Sequence, residues 1–217
     1  MTPYYDEGGI TIYNARCEDV LPSIDPTDVD LLLTDPPYGI DLDTDYKARG
    51  ISARTYLRIE GDRAEFDPAP LLAYGACVLW GGNYFAHLLP PSNGWLFWDK
   101  RKLNDTNWSG SEAELAWTNL SAGVRGFRHL WLGGMRDSET RYHVHPTQKP
   151  VALMRWIIDR WTKPGDMVLD PFMGSGPVAQ ACHELGRRYI GIELVEGYCK
   201  IAVGRLSQQA FDFGGAA

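Results

Sequence analysis

Short apolar runs alternate along the chain with polar breaks marked by glycine and proline. That rhythm predicts strands and helices taking turns, the mark of an α/β sheet. Ile10-Thr11-Ile12-Tyr13 alternates like a short strand, and Asp19-Val20-Leu21-Pro22 reads as one helical turn stopped by its proline. Val29-Asp30-Leu31-Leu32-Leu33, Ala76-Cys77-Val78-Leu79-Trp80 and Trp95-Leu96-Phe97-Trp98 read as buried strands, with Glu114-Leu115-Ala116-Trp117-Thr118 a neighbour of the last. Between them, Leu71 to Gly75 reads as a helix end and Tyr84 to Leu89 as a short helix closed by Pro90-Pro91. Residues 41–67 are polar, charged and without apolar periodicity, which predicts a mobile loop. The stretch 120–142 reads as irregular, rich in Gly and Arg with Phe127, His129 and Trp131 interleaved.

The last third is more regular. Val151, Leu153, Met154, Trp156, Ile157, Ile158 and Trp161 pattern a well-buried helix that Pro164-Gly165 ends. Met167-Val168-Leu169 is a strand, and a helix over 177–185 follows, with Pro177 at its first position and Gly186 just past its end. Tyr189-Ile190-Gly191-Ile192 is the next strand, and a final helix carries Tyr198, Ile201, Ala202 and Leu206 before a Gly/Ala-rich tail.

Length and composition set bounds. A chain of 217 residues with 44% hydrophobic content predicts one domain over 1–217 with an ample core. No apolar run approaches the ~20 residues of a membrane span and no signal pattern opens the chain, which predicts a cytoplasmic protein without membrane contact. Cys17, Cys77, Cys182 and Cys199 lack paired spacing, so they read as buried thiols. His143 and His145 have no Cys or acidic partner at ligand spacing, and no metal site is expected. The net charge of −7 weighs mildly against nucleic acid, although the local field over a binding face decides that question. Basic residues do cluster: Lys47, Arg49, Arg54 and Arg58; Lys100, Arg101 and Lys102; Arg125, Arg128, Arg136 and Arg141. Each cluster taken singly reads first as an ordinary solvated face; the aromatic and Arg-rich stretch 120–142 reads equally as an irregular surface lobe or as a nucleic-acid surface.

Two stretches carry chemistry. Thr34-Asp35-Pro36-Pro37-Tyr38-Gly39 follows a strand, and its two prolines stop the ladder and stiffen the loop. The loop lies at a strand's carboxyl end, where ligands bind in open α/β sheets. An acid, a free carbonyl and a flat ring suit work on the exocyclic amine of a nucleobase. Asp35 and the Pro36 carbonyl can each accept one N–H, and Tyr38 can stack on the base. The second stretch is a strand, Gly174-Ser175-Gly176, a helix, a strand and Glu193, a nucleotide-binding βαβ unit. Its spacing fits both a dinucleotide and S-adenosylmethionine. Asp170 just before the glycines favours the methyl donor, because a carboxylate there would repel a pyrophosphate and could meet an amino group.

Three motifs in order, Thr34–Gly39, His145-Pro146-Thr147-Gln148-Lys149-Pro150 and Asp170-Pro171-Phe172-Met173-Gly174-Ser175-Gly176, resemble the β group of the amino-methylating DNA methyltransferases, with likeness from about Ile10 to Leu206. The resemblance implies a Rossmann-like α/β fold with circularly permuted motif order and a mostly parallel seven-stranded sheet containing one antiparallel strand. It implies S-adenosylmethionine as cofactor and double-stranded DNA as partner in a bacterial or phage-encoded protein, and it is compatible with a monomer or a homodimer. Asp35, Pro36, Pro37 and Tyr38 would form the catalytic loop around the target amine. Cys17, Asp35, Thr147, Lys149, Asp170, Phe172, Gly174, Ser175, Gly176, Glu193 and Leu194 would line the donor, with Phe172 on its adenine, Glu193 on its ribose, and Thr147 and Lys149 near its methionine carboxylate. Lys47, Arg49, Arg54, Lys100, Arg101, Lys102, Arg125, Arg128, Arg136 and Arg141 would approach DNA, the later ones in a small recognition insertion over about 99–142.

The chain departs from the family pattern twice. Ala15-Arg16 stands where Gly-Asp is frequent, so Arg16 cannot accept hydrogen bonds from the donor adenine. Pro177 stands where Thr is frequent, which removes a hydroxyl and an N–H. In the family, Asp before Pro-Pro-Tyr goes with N6 of adenine and Ser with N4 of cytosine. Cytosine methylation, a non-catalytic donor- or DNA-binding relative and a nicotinamide oxidoreductase are the competing readings.

Overall fold

A computed structural model describes residues 1–41, 61–102, 111–120, 123–132, 135–139 and 148–213. The apolar runs form β1 (Tyr5–Glu7), β2 (Ile10–Asn14), β3 (Leu31–Thr34), β4 (Cys77–Trp80), β5 (Gly94–Asp99), β6 (Ala113–Thr118) and β7 (Val124–Arg128). A short hairpin of β8 (Trp131–Leu132) and β9 (Met135–Arg136) follows, then β10 (Met167–Asp170) and β11 (Arg188–Glu193). Helices are α1 (Cys17–Val20), α2 (Val151–Trp161), α3 (Pro177–Leu185) and α4 (Glu196–Phe213). The 69–73 and 86–88 segments are single 3₁₀ turns, shorter than the helical readings of 71–75 and 84–89. Among the described residues, no helix is long and apolar enough to cross a membrane.

The main sheet has nine strands in the order β1-β2-β11-β10-β3-β4-β6-β5-β7. Its inner seven, β2 to β5 in that order, match the expected sheet: all are parallel except β6, which pairs antiparallel with both β4 and β5. β1 adds an antiparallel hairpin strand at one edge and β7 a parallel strand at the other. The segment 99–142 is therefore not a lobe set apart from the sheet, because it supplies β6 and β7. The sequence hides β7, since Val-Arg-Gly-Phe-Arg lacks a clean two-residue alternation and its side chains are mostly exposed.

Sheet faces explain which residues are apolar. Leu31 and Leu33 point into one core with Val78, Trp80, Leu96 and Trp98, packed by Leu153, Met154 and Ile157 of α2 and Ala181 of α3. Leu32 points to the opposite face with Leu79, Trp117 and Leu169, covered by Leu71 and Phe85. Burying each such Leu contributes about 2 kcal/mol. The consequence for function lies at one edge: the parallel strands all end there, and the reversed β6 begins there. Loops after β3, β4, β5, β10 and β11 therefore open at the same end of the sheet as the first residues of β6.

Helix α3 spans the residues read from its punctuation, 177–185, with Gly186 closing it at φ +68°. Gly176, its N-cap, is at φ +79°, and a methyl there would sit 2.7 Å from Cβ of Ala202 in α4. This glycine is needed for backbone conformation and for the approach of α4, which a ligand-based reading of Gly-x-Gly does not see. Gly176→Ala is expected to destabilise the fold by about 2–4 kcal/mol, from overpacking and left-handed strain together. Urea unfolding followed by circular dichroism should show a lower midpoint with an unchanged m-value.

Candidate active site

The loop after β3 is built as its sequence suggests and held by a residue the sequence reading placed in a mobile segment. Asp62 is buried, and its Oδ1 accepts the N–H groups of Tyr38 and Gly39, both at 2.9 Å. Phe66 packs edge-on to Phe85 and Phe172 at 5.1 and 5.6 Å. Residues 61–67 are thus an irregular loop, as expected, whose Asp62 and Phe66 pack against the site; residues 42–60, with Lys47, Arg49 and Arg54, lie outside the described residues. An acid within a polar stretch gives little sequence signal unless the turn it caps is already known.

Asp35 lies between two donors. Lys149 Nζ is 2.6 Å from its Oδ2, and the Tyr38 hydroxyl donates to its Oδ1 at 2.5 Å. Lys149 also donates to the Tyr38 oxygen at 3.1 Å and pairs with Glu114 at 3.0 Å. Glu114 in turn pairs with Lys100 at 3.0 Å. The result is a chain of alternating charge, Asp35–Lys149–Glu114–Lys100, drawn from the β3 loop, the turn before α2, the start of β6 and the end of β5.

Burial works against the Lys149 ammonium, but Asp35 and Glu114 overcome it and hold its pKa well above the ordinary lysine value. Glu114 is held down to about 2: burial would raise it, and the two lysines prevail. Burial raises Asp35 above the usual carboxylate range, helped by the Glu114 charge and partly offset by Lys149. Tyr38 is pushed well up by burial and then by Asp35, so its phenol stays protonated.

Tyr38 also has a stacking partner. Its ring lies 4.8 Å from that of Tyr84 at 13°, and Tyr84 is half exposed. Gly81, at φ +70°, leaves room for the Tyr38 ring; a methyl there would fall 1.9 Å from its Cε1. The Gly81-Gly82 pair that closes β4 is therefore part of the site.

The glycine loop is joined to Asp35 through adjacent strands. Thr34 Oγ1 donates to Asp170 Oδ1 at 2.6 Å, linking the ends of β3 and β10. Asp170 is almost fully buried, accepts the Phe172 N–H at 3.2 Å and takes the Tyr189 hydroxyl at 3.3 Å. Its oxygens thus accept three hydrogen bonds inside the fold. Burial pushes its pKa up to about 7 despite these donors. Glu193 accepts the N–H groups of Gly174 and Val195 at 2.9 and 2.7 Å. Asn14 ties β2 to the Glu193 and Leu194 carbonyls, both at 2.9 Å. Ser175 is buried, and its hydroxyl has no hydrogen-bond partner among the described residues. An orphaned hydroxyl in a loop entering a helix N-terminus fits a polar ligand.

Other expected residues are placed differently. Lys149 reaches Asp35 and Glu114, not an open position beside the glycine loop. Cys17 opens α1, and burial with Glu18 pushes its thiol up to about 12, so it is inert. Arg16 is exposed and pairs with Glu18 at 3.2 Å. Of the basic clusters, Arg101 and Arg128 both pair with Asp99, at 3.0 and 2.8 Å. Arg136 lies over the Trp131 ring at 4.4 Å. These groups are partly neutralised within the protein, whereas Lys102 and Arg125 are exposed. Thr147, Arg141, His143 and His145 lie outside the described residues.

A protein family described as DNA methylase, covering N6 and N4 enzymes, matches residues 89–204, more than half of the chain. The chain belongs to this family. Within it, the chain is 42% identical over 83 residues to the type II methyltransferase M2.DpnII of Streptococcus pneumoniae, which is 38% of this chain and 31% of that protein. It is 45% identical over 85 residues to the putative methylase YubD of Escherichia coli K12, 38% of this chain and 37% of that protein. The matched part thus spans about a third of these relatives' length. Among solved structures, M1.HpyAVI in complex with SAM superposes with a TM-score of 0.56 at 26% identity, covering 91% of this chain and 98% of that one. The cytosine-N4-specific PvuII DNA methyltransferase shares the fold with a TM-score of 0.62 at 14% identity, covering 94% of this chain and 88% of its own. The family match begins after Asp35 but includes Glu114, Lys149, Asp170 and Glu193. Lys149 therefore carries the family region onto the Asp35 loop.

Asp170 gives a test in pH. Its folded pKa lies above the unfolded value of about 3.9, so its contribution is fully present below that value and is lost as pH rises through about 7. Asp170→Asn keeps the shape without the charge. Relative to the parent, the variant is expected to gain stability progressively between about pH 4 and pH 7 and to hold that gain above, as read by urea midpoints across pH.

Proposed function

We propose that the chain transfers a methyl group from S-adenosylmethionine to the exocyclic N6 of adenine in DNA. The observation that carries this reading is the Asp35–Tyr38–Lys149 cluster at the end of β3, stitched through Thr34 and Asp170 to the Gly174–Gly176 loop. When bound, S-adenosylmethionine supplies an electrophilic methyl on a sulfonium. Gly174, Ser175 and the start of α3 would hold its methionine end, Glu193 its ribose, and Phe172 its adenine.

The target adenine is flipped out of the duplex at a cost of a few kcal/mol. Tyr38 stacks on it and releases Asp35 Oδ1. Asp35 and the Pro36 carbonyl then accept the two N6 hydrogens, which localises the nitrogen lone pair for in-line attack. As the new N–C bond forms, the methyl–sulfur bond would break and the donor would leave as the neutral thioether S-adenosylhomocysteine; the nitrogen then sheds one of these hydrogens as a proton, and Asp35 is positioned to take it. Catalysis comes from positioning and electrostatics, with no covalent bond to the enzyme. Duplex DNA lies along the carboxyl edge of the sheet, where the exposed Lys102 just past β5 offers a phosphate contact.

Incubation with methyl-labelled donor and DNA, followed by nucleoside mass spectrometry, should yield N6-methyladenine. N4-methylcytosine would overturn the base assignment, and no transfer to any DNA would overturn the activity. Asp35→Ala is expected to lower transfer by more than roughly 100-fold. Donor affinity should survive, because Lys149 keeps Glu114 as its partner.

A further inference from the structure

Resting on the proposed methyl transfer, we infer that Glu114 is a positioning residue that divides the Lys149 ammonium between two carboxylates and so leaves Asp35 able to accept the target amine. No motif of the catalytic or donor loops contains Glu114. It is the second residue of β6, the inner strand that runs against its neighbours. That reversal brings its carboxylate to the edge where the other strands end. One of its oxygens lies 3.0 Å from Lys149, the other 3.0 Å from Lys100.

The geometry sets a competition. Lys149 is 96% buried and lies 2.6 Å from Asp35. An ammonium with Asp35 as its sole carboxylate would bind it as a closed ion pair, with oxygens directed at Lys149. With Glu114 on its other side, the ammonium is shared, and the second Glu114 oxygen is itself fixed by Lys100. The charged and titratable groups facing Asp35 are Lys149 from the turn before α2, Tyr38 from its own loop, Glu114 from β6 and Asp170 from β10. Removing the Glu114 charge withdraws a repulsion from Asp35 and strengthens the hold of Lys149. Both effects make the Asp35 carboxylate easier to ionise and a poorer acceptor for an amine.

The opposed effects on titration and on rate make the test specific. In Glu114→Gln, kcat for DNA methylation is expected to fall by roughly ten- to a hundredfold. The acidic limb of the pH–rate profile should shift to lower pH, and KM for DNA should change little. A slower but folded variant with the acidic limb unmoved or shifted upward overturns the inference, as does an unchanged kcat. Should Glu114→Gln fail to fold by circular dichroism, Glu114→Asp decides. It draws the carboxylate one methylene back from Lys149, so a lowered kcat with the acidic limb shifted to lower pH supports the role, and a parental kcat or an unmoved limb overturns it. A parent enzyme that transfers no methyl group would instead refute the proposed function itself.

Discussion

The buried ammonium of Lys149 is the constraint around which the site is arranged. A cation withdrawn from water costs several kcal/mol unless opposite charges and hydrogen-bond acceptors surround it. Lys149 has both in Asp35, Glu114 and the Tyr38 oxygen, with the rings of Trp80 and Tyr38 nearby at 5.8 and 5.7 Å. Meeting that need requires the β3 loop, the start of β6 and the turn before α2 to converge. Removing one partner of such a pair typically costs 3–5 kcal/mol. The same requirement that stabilises the assembly therefore fixes the Asp35 carboxylate in space.

Topology makes the convergence cheap. Parallel strands deliver their carboxyl ends to one edge, and adjacent strands β3 and β10 place Thr34 beside Asp170 without a long connection. The Asp35 loop and the loop that carries Gly174–Gly176 thus both start at the ends of neighbouring strands. The single reversed strand inside the sheet adds what parallel strands cannot, a strand beginning at that edge.

Much of this was legible because particular residues have one physical use. Pro177 and Gly186 bound α3 through the missing N–H and the left-handed φ, and the alternation of Leu31, Leu32 and Leu33 marks a strand buried on both faces. The Asp35 loop and the Gly174–Gly176 loop could be read as sites from residue type and position. Long-range pairing could not. Nothing local joins Lys149 to Asp35 across 114 positions, and Lys149 on sequence grounds belonged with a ligand carboxylate. Lys100 and Arg128 read as candidates for phosphate because their acidic partners, Glu114 and Asp99, come from other strands, whereas Arg101 has Asp99 two residues before it and Glu112 further along the chain. Period-two spacing did hold one usable clue: Glu114 shares its strand face with buried Ala116 and Thr118, so an acid there has to find a cation.

The parallel contact of Tyr38 with Tyr84 changes the thermodynamics of base capture. In the proposed reaction, a base seated on Tyr38 in place of the Tyr84 ring would exchange one aromatic contact for another, so the roughly 1–3 kcal/mol usually credited to base–aromatic stacking would not be a net gain. The difference between two π-contacts is small, and every nucleobase has a π-face. Ring stacking then serves to orient the guest, while the choice among bases and the energy to hold one outside the helix fall to the few polar atoms on the opposite rim.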